Sequence, residues 1–94
     1  MTEMVVTMPR IKARSTFGTV VARARLTRPQ LAAAAEVSVR TIDALANPGA
    51  AGRQGFAREV TAWKIAQGFA KLTQQTDDAA FAQLFENVAE EVTV

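Results

Sequence analysis

The chain has 94 residues, of which 49% are apolar and 21% are charged, and this composition is typical of one small soluble globular domain. The absence of His, Cys and Tyr excludes imidazole acid–base catalysis, thiolate nucleophiles, Cys/His zinc sites and disulfides. No apolar run approaches the roughly 20 residues that cross a bilayer, and no signal-peptide pattern opens the chain. We therefore expect a cytoplasmic binding protein rather than an enzyme, with no metal, no cofactor and no small-molecule ligand.

The charge is unevenly distributed along the chain. All 11 basic residues lie between Arg10 and Lys71, and residues 1–71 contain four acidic residues, which gives this part a net charge of +7. Residues 72–94 contain five acidic residues and no basic one, a net charge of −5. A basic body favours a polyanion as partner, although charges that only keep a small protein soluble are the alternative.

Residues 1–14 are predicted to form a basic N-terminal arm, because the weak alternation before Pro9 carries no capping or periodic signal. Ser15 and Thr16 offer an N-cap for a first helix that runs through Phe17 to Ala24. This helix opens a helix-turn-helix domain that we assign to residues 15–75.

Two short helices are predicted next, each with its own start signal. Thr27 to Gln30 has the form of a capping box, in which Pro29 loses no needed hydrogen bond. This second helix ends near Glu36, because Ser38 is the N-cap of a third helix over 39–46. A loop rich in Gly and Ala follows up to residue 55.

A fourth helix is predicted over 56–72, and its large apolar side chains fall on two opposite faces, a pattern typical of a helix buried on both sides. Thr76 offers an N-cap for a last helix, with two aspartates in its first turn. Residues 76–94 are therefore predicted as an acidic amphipathic C-terminal helix, and nothing in the chain argues for a sheet.

The second and third predicted helices have the pattern of a helix-turn-helix. Where two short helices cross steeply, the contact position on the first must be small and the facing position on the second branched and apolar. Ala32 and Ile42 satisfy this requirement. Leu31, Ala35, Val37 and Leu45 would seal the crossing.

The segments LTRPQLA (26–32) and VSVRTI (37–42) resemble the helix-turn-helix of the Cro and phage-repressor proteins, the lambda-repressor-like or XRE family. The resemblance covers roughly residues 17–72. It implies an all-α, five-helix domain that binds operator DNA as a dimer, as a transcriptional regulator of prokaryotic or phage repressor type. The turn position usually held by Gly is Glu36, which would cost roughly 1 kcal/mol in a left-handed backbone.

The third helix is expected to enter the major groove with its first turn leading. Arg40 can bond two acceptors of a guanine or contact a phosphate instead. Val39 can meet a thymine methyl or serve in packing, and Thr41 can reach bases or backbone. Asp43 would accept from a cytosine amine or point at Arg40, and the second is favoured.

Contacts to the DNA backbone are expected from polar residues near helix starts and in the long loop, any of which could instead be ordinary solvated surface. The candidates are Arg28, Gln30, Ser38, Asn47, Arg53 and Gln54. Basic residues of the arm are expected to lie along a groove, or to belong to a tail that makes no contact. These are Arg10, Lys12 and Arg14.

A homodimer is expected, because one helix-turn-helix domain reads only a half-site. The predicted interface is an apolar stripe on the last helix, and the alternative is that this helix folds back on its own chain and leaves a monomer. The stripe consists of Phe81, Leu84, Phe85, Val88 and Val92. A second possible function is an interaction module, such as an antitoxin-like protein whose C-terminal helix binds a partner protein.

Overall fold

The computed structural model describes the backbone of residues 5–47 and 55–93, and the side chains of residues 10–47 and 55–88. Three strands and five helices lie in these ranges. In chain order they are β1 (Val5–Ala13), α1 (Phe17–Arg23), α2 (Arg28–Ala35), α3 (Val39–Ala46), β2 (Phe56–Ala57), α4 (Glu59–Thr73), α5 (Asp77–Leu84) and β3 (Phe85–Thr93).

The prediction of an all-α fold is wrong, because the described residues include a three-stranded antiparallel sheet. Most of the predicted N-terminal arm is strand β1. The predicted C-terminal helix ends at Leu84, and the chain continues as strand β3. The apolar spacing after Leu84 fits a helix, but these residues pair instead with a strand roughly 80 residues away, a partner that no local pattern reveals.

The sheet has the order β2-β1-β3, so β1 is its central strand. β1 and β3 pair along their whole length, from Val5 opposite Thr93 to Ala13 opposite Phe85. β2 pairs only with Ile11 and Lys12. The outer half of the sheet is therefore a two-stranded ribbon formed by the two ends of the described chain.

The core lies between the helices and the base of this ribbon. Gly68 of α4 lies against α2, and the ring of Trp63 in α4 stacks on Phe81 of α5. Apolar residues supply every buried side chain of the described part. The largest fully buried ones are Phe17, Phe69, Phe85, Leu31, Ile42, Ile65 and Leu84.

Three of the predicted helix starts are confirmed. Thr27 and Gln30 form a complete capping box at α2. Ser38 caps α3 by accepting from the N–H of Thr41, and Thr76 caps α5 by accepting from the N–H of Ala79. Each side chain satisfies an amide that the helix itself leaves without a partner.

α4 packs against both α2 and α5, as its two apolar faces predicted, but not through all of the residues assigned to those faces. Its start is Glu59, because Phe56 and Ala57 pair with β1 as strand β2. Val60 is 69% exposed and Leu72 is 41% exposed, whereas Ile65 and Phe69 are buried. The other buried residues of α4 are small, and the spacing of the large apolar side chains did not reveal them: they are Ala62, Ala66, Gly68 and Ala70.

Glu36 ends α2 in the left-handed conformation, with φ of 58° and ψ of 40°. Replacing it by glycine should raise the free energy of unfolding by about 0.5–1 kcal/mol, because relief of backbone strain exceeds the entropy that glycine adds to the unfolded chain. Urea unfolding of Glu36→Gly measures this gain. Glu36→Ala keeps a Cβ atom and should gain almost nothing; a glycine variant that is less stable than the parent would contradict the prediction.

Candidate nucleic-acid interface

Helices α2 and α3 form a tight pair joined by a three-residue turn, residues 36–38. Ala32 is 3% exposed and Ile42 is fully buried, as the pattern for a crossing predicted. The turn is held by backbone bonds, because the N–H of Val37 donates to the carbonyl of Ala32 at 3.0 Å. The orientation of α3 is therefore fixed by packing on α2 and by the left-handed turn at Glu36.

The first turn of α3 presents its side chains to solvent. Val39 is 39% exposed, and Arg40 and Asp43 are exposed as well. Thr41 is half-buried, and its hydroxyl lies 2.9 Å from the Ser38 hydroxyl. Ile42 and Leu45 lie on the opposite side of the helix and are buried. α3 thus has one side fixed in the core and one side available to a ligand.

Asp43 has a different partner from the one favoured by the sequence. Its Oδ1 accepts from Nη1 of Arg28 at 2.9 Å, and the two side chains are 50% and 47% exposed. Arg28 lies at the start of α2, so this pair links the two helices across their exposed side. Arg28 is therefore the ion-pair partner of this carboxylate, and no hydrogen bond or ion pair joins Asp43 to Arg40.

The other candidates for contact with the DNA backbone differ in whether their side chains are engaged within the protein. Gln30 uses its Oε1 to accept from the N–H of Thr27 at 2.8 Å, so its carbonyl oxygen is engaged in the capping box. Ser38 is engaged as the cap of α3, and Asn47 is exposed at the end of that helix. Arg53 and Gln54 lie outside the described residues.

The three basic residues of the predicted arm belong to β1 or follow it directly. Nε of Arg14 donates to the carbonyl of Ala82 at 2.7 Å, and its Nη1 lies 3.3 Å from Oε2 of Glu86. Arg14 therefore ties the end of β1 to α5 and β3. The other two, Arg10 and Lys12, lie in the strand itself.

Phe56 is a residue that the sequence analysis misplaced in a helix. Its ring centroid is 4.2 Å from the guanidinium carbon of Arg10 and 5.9 Å from Nζ of Lys12. A ring with two cations on it holds those cations through its negative face. The alternation of Arg10 and Lys12 in a strand could have suggested this grouping, since residues two apart share a face.

The residues of the predicted dimer stripe lie largely in the chain's own core. Leu84 and Phe85 are at most 1% exposed. Phe81 is half-buried and stacks on Trp63 with 4.2 Å between ring centroids. Val88 is half-buried in β3, and the side chain of Val92 lies outside the described set.

Comparison of the chain with protein-family models, with curated proteins and with solved structures gives no match. In the part of the chain that the structure describes, no helix has the length and apolar character needed to span a membrane.

Proposed function

We propose that this protein is a sequence-specific DNA-binding regulator of transcription, of the prokaryotic or phage repressor type, that acts in the cytoplasm. The observation that carries the proposal is the arrangement of α3, which packs on α2 and buries Ile42 while its first turn exposes Val39 and Arg40. An α-helix of this kind fits the major groove, where each base pair presents a distinct set of donors and acceptors. The resemblance of segments 26–32 and 37–42 to Cro-type sequences also supports it.

Arg40 is the residue assigned to base recognition. It lies in the first turn of α3 and is exposed. The planar guanidinium can donate two parallel hydrogen bonds to O6 and N7 of guanine, the commonest specific contact of this kind. Val39 beside it offers an apolar contact that suits a thymine methyl.

The ion pair between Arg28 and Asp43 lies next to the exposed first turn of α3 and affects the net charge there. A lone carboxylate here would repel phosphates, but the pair with Arg28 at 2.9 Å offsets its charge. Arg28 is exposed at the start of α2, where the positive end of the helix dipole also favours an anion. The pair therefore affects how strongly the exposed side of α2 and α3 attracts the phosphates of DNA, and this effect does not depend on the base sequence.

The test begins with selection of bound sequences from random duplex DNA, which should enrich one motif. Arg40→Ala should then cost about 1–3 kcal/mol on that motif and relax the preference at one base position. Arg28→Ala should weaken binding to all sequences alike, because it removes a cation and frees the Asp43 carboxylate. Binding is measured by titration of labelled duplexes, and circular dichroism verifies the helical content of each variant.

Asp43→Asn is the matched counterpart of Arg28→Ala. It removes the exposed carboxylate and should tighten binding to all sequences, with a steeper dependence on salt. Because the two variants should change DNA affinity in opposite directions, they distinguish an effect of charge from a loss of structure. The DNA-binding proposal would be wrong if no motif is enriched and Arg40→Ala binds every duplex as the parent does.

We also propose that the protein binds DNA as a dimer, because a single helix-turn-helix domain contacts only one half-site of an operator. The alternative function, binding of a partner protein through the C-terminal helix, gains no support from α5. The apolar residues of that helix pack inward, and its exposed residues are polar or alanine. A hydrophobic partner contact would depend little on salt, whereas contacts to several phosphates weaken steeply as salt rises.

A further inference from the structure

A cavity of about 550 Å³ lies between the sheet and the start of α4, and it is partly open to solvent. All three strands contribute to its lining, whereas none of the residues that line it belongs to α2 or α3. It is therefore separate from the exposed first turn of α3. Cavities of roughly 300–1,000 Å³ are typical of sites for small molecules.

The pairing of the strands creates this cavity from three distant parts of the chain. Ile11 of β1 lies opposite Ala57 of β2 on one side and opposite Asn87 of β3 on the other. Arg58 is the N-cap of α4, and Glu59 is the first residue of that helix. Because the cavity exists only once the sheet has formed, the expectation that the chain binds no small-molecule ligand could not take it into account.

The polar part of the lining has an excess of positive charge. Two arginines, Arg10 and Arg58, and one carboxylate, that of Glu59, line the cavity, which leaves one positive charge in excess. The side-chain amide of Asn87 adds two N–H donors. A guanidinium can donate two parallel hydrogen bonds to the oxygens of a carboxylate or a phosphate. The lining therefore favours an oxyanion as ligand.

The side chain of Arg58 is available for such a contact. Arg58 is exposed, and its side chain forms no hydrogen bond or ion pair with another residue of the described part of the chain. It also makes no side-chain capping bond at the start of α4. A ligand can therefore bind this guanidinium without breaking a polar contact within the folded chain.

The side chain of Arg10 is positioned at the cavity by Phe56. Its guanidinium carbon lies 4.2 Å from the centroid of the Phe56 ring. A guanidinium has five N–H donors, so it can remain on the ring and still donate to a ligand. Because the ring contact already restricts this side chain, binding of a ligand removes less conformational entropy from it.

The remainder of the lining is apolar. Ile11, Phe56 and Ala57 supply it, and all three are half-buried. A mostly apolar wall with a few polar groups is the usual composition of a small-molecule site. A ligand that fits both parts of the lining has an anionic group and an apolar or aromatic body.

We propose that this cavity binds a small organic oxyanion, a phosphate monoester or a carboxylate attached to an apolar or aromatic body. Arg10 and Arg58 bind the anionic group, and the amide of Asn87 donates a further hydrogen bond to it. Ile11 and Phe56 contact the body of the ligand. The site does not depend on the proposed DNA-binding function, and its tests are made without DNA.

Three naphthalene compounds test the chemistry of the ligand. Naphthyl phosphate, naphthoate and naphthol share one ring system and differ in the group attached to it. Each is titrated into the full chain while the NMR signals of the backbone amides are followed. At least one of the two anions should bind with a Kd below about 1 mM and shift the amides of Ile11, Ala57 and Asn87. The neutral naphthol should bind more weakly, and the tighter anion identifies the preferred anionic group.

Three charge variants test the assignment of residues. Arg58→Gln should weaken binding of the anion roughly 10-fold, because a charge-assisted hydrogen bond is lost. Glu59→Gln should tighten it, because the variant removes a carboxylate that repels the ligand. Lys71→Gln is the matched control, since it removes one positive charge about 20 Å along α4 from Arg58. It should bind the anion as the parent does. All three residues are exposed, so the variants should keep the fold.

Saturable binding of an anion that is weaker in Arg58→Gln and tighter in Glu59→Gln would support the site. Failure of both anions to bind overturns it. Naphthol that binds as tightly as the anions would also overturn it and would indicate an apolar surface only. An equal loss of affinity in Arg58→Gln and Lys71→Gln would likewise contradict the proposal, because the anion would then respond only to the net charge of the chain.

Discussion

Replacing Gly68 by alanine is expected to lower the free energy of unfolding by about 1–3 kcal/mol, even though alanine is the better helix former. Gly68 lies in the middle of α4 and is buried against the last turn of α2. A Cβ atom at this position would lie 2.8 Å from the backbone nitrogen of Ala35 and 2.9 Å from the carbonyl carbon of Ala34. Neither is the end of a flexible side chain, so α2 as a whole must move.

A movement of α2 would also affect the candidate interface, because α3 packs on α2. A displaced α2 would strain the left-handed turn at Glu36 and reorient the exposed turn of α3. We therefore expect Gly68→Ala to lose DNA affinity in addition to stability. Denaturant unfolding measures the first effect, and titration of the selected duplex measures the second.

Gly18→Ala is the matched control for this substitution. It lies in α1, and its added Cβ would be 3.7 Å from the carbonyl oxygen of Ala46, an ordinary contact. Its stability should be unchanged or higher by up to about 1 kcal/mol. If Gly68→Ala were as stable as the parent chain, α2 and α4 would not approach as closely as the structure describes.

The elements that the sequence predicts well are those whose signals are local. The capping box at Thr27 and Gln30 and the cap at Ser38 each lie within a few residues of the helix they start. Ala32 and Ile42 are close in the chain, so the burial of both follows from two helices and a short turn. The α2–α3 pair was therefore predictable from about 20 residues of sequence.

The sheet could not be predicted in the same way. β1 and β3 stabilise each other from opposite ends of the chain, and strand formation depends on that partner more than on local preference. Phe81, Leu84, Phe85 and Val88 have helical spacing, and the first two are indeed helical. The pattern did not reveal that Phe85 turns into the core and starts a strand.

The partner of Asp43 was missed for a related reason. The sequence favours Arg40, which lies three residues away on the same helix. Arg28 is 15 positions earlier, and only the angle between α2 and α3 brings it to 2.9 Å. An ion pair between two helices can be identified only once the packing of those helices is known.

Phe85→Ala should have the largest effect on stability. We expect it to lower the free energy of unfolding by about 3–5 kcal/mol, because Phe85 is buried in the core. Its ring is 1% exposed, and its centroid lies 5.7 Å from that of Phe17 and 5.4 Å from that of Phe81. It closes the core where α5 passes into β3. Because a small domain is stable by only about 5–15 kcal/mol, this variant should be close to unfolding.

Val60→Ala and Phe81→Ala are the comparisons for Phe85→Ala. Val60 is 69% exposed, so its truncation should change the free energy of unfolding by less than about 0.5 kcal/mol. Phe81 is half-buried, and its truncation should fall between the other two. Urea unfolding monitored by circular dichroism ranks the three variants. If Phe85→Ala kept the stability of the parent and lost only self-association, Phe85 would belong to a dimer surface rather than to the core of one chain.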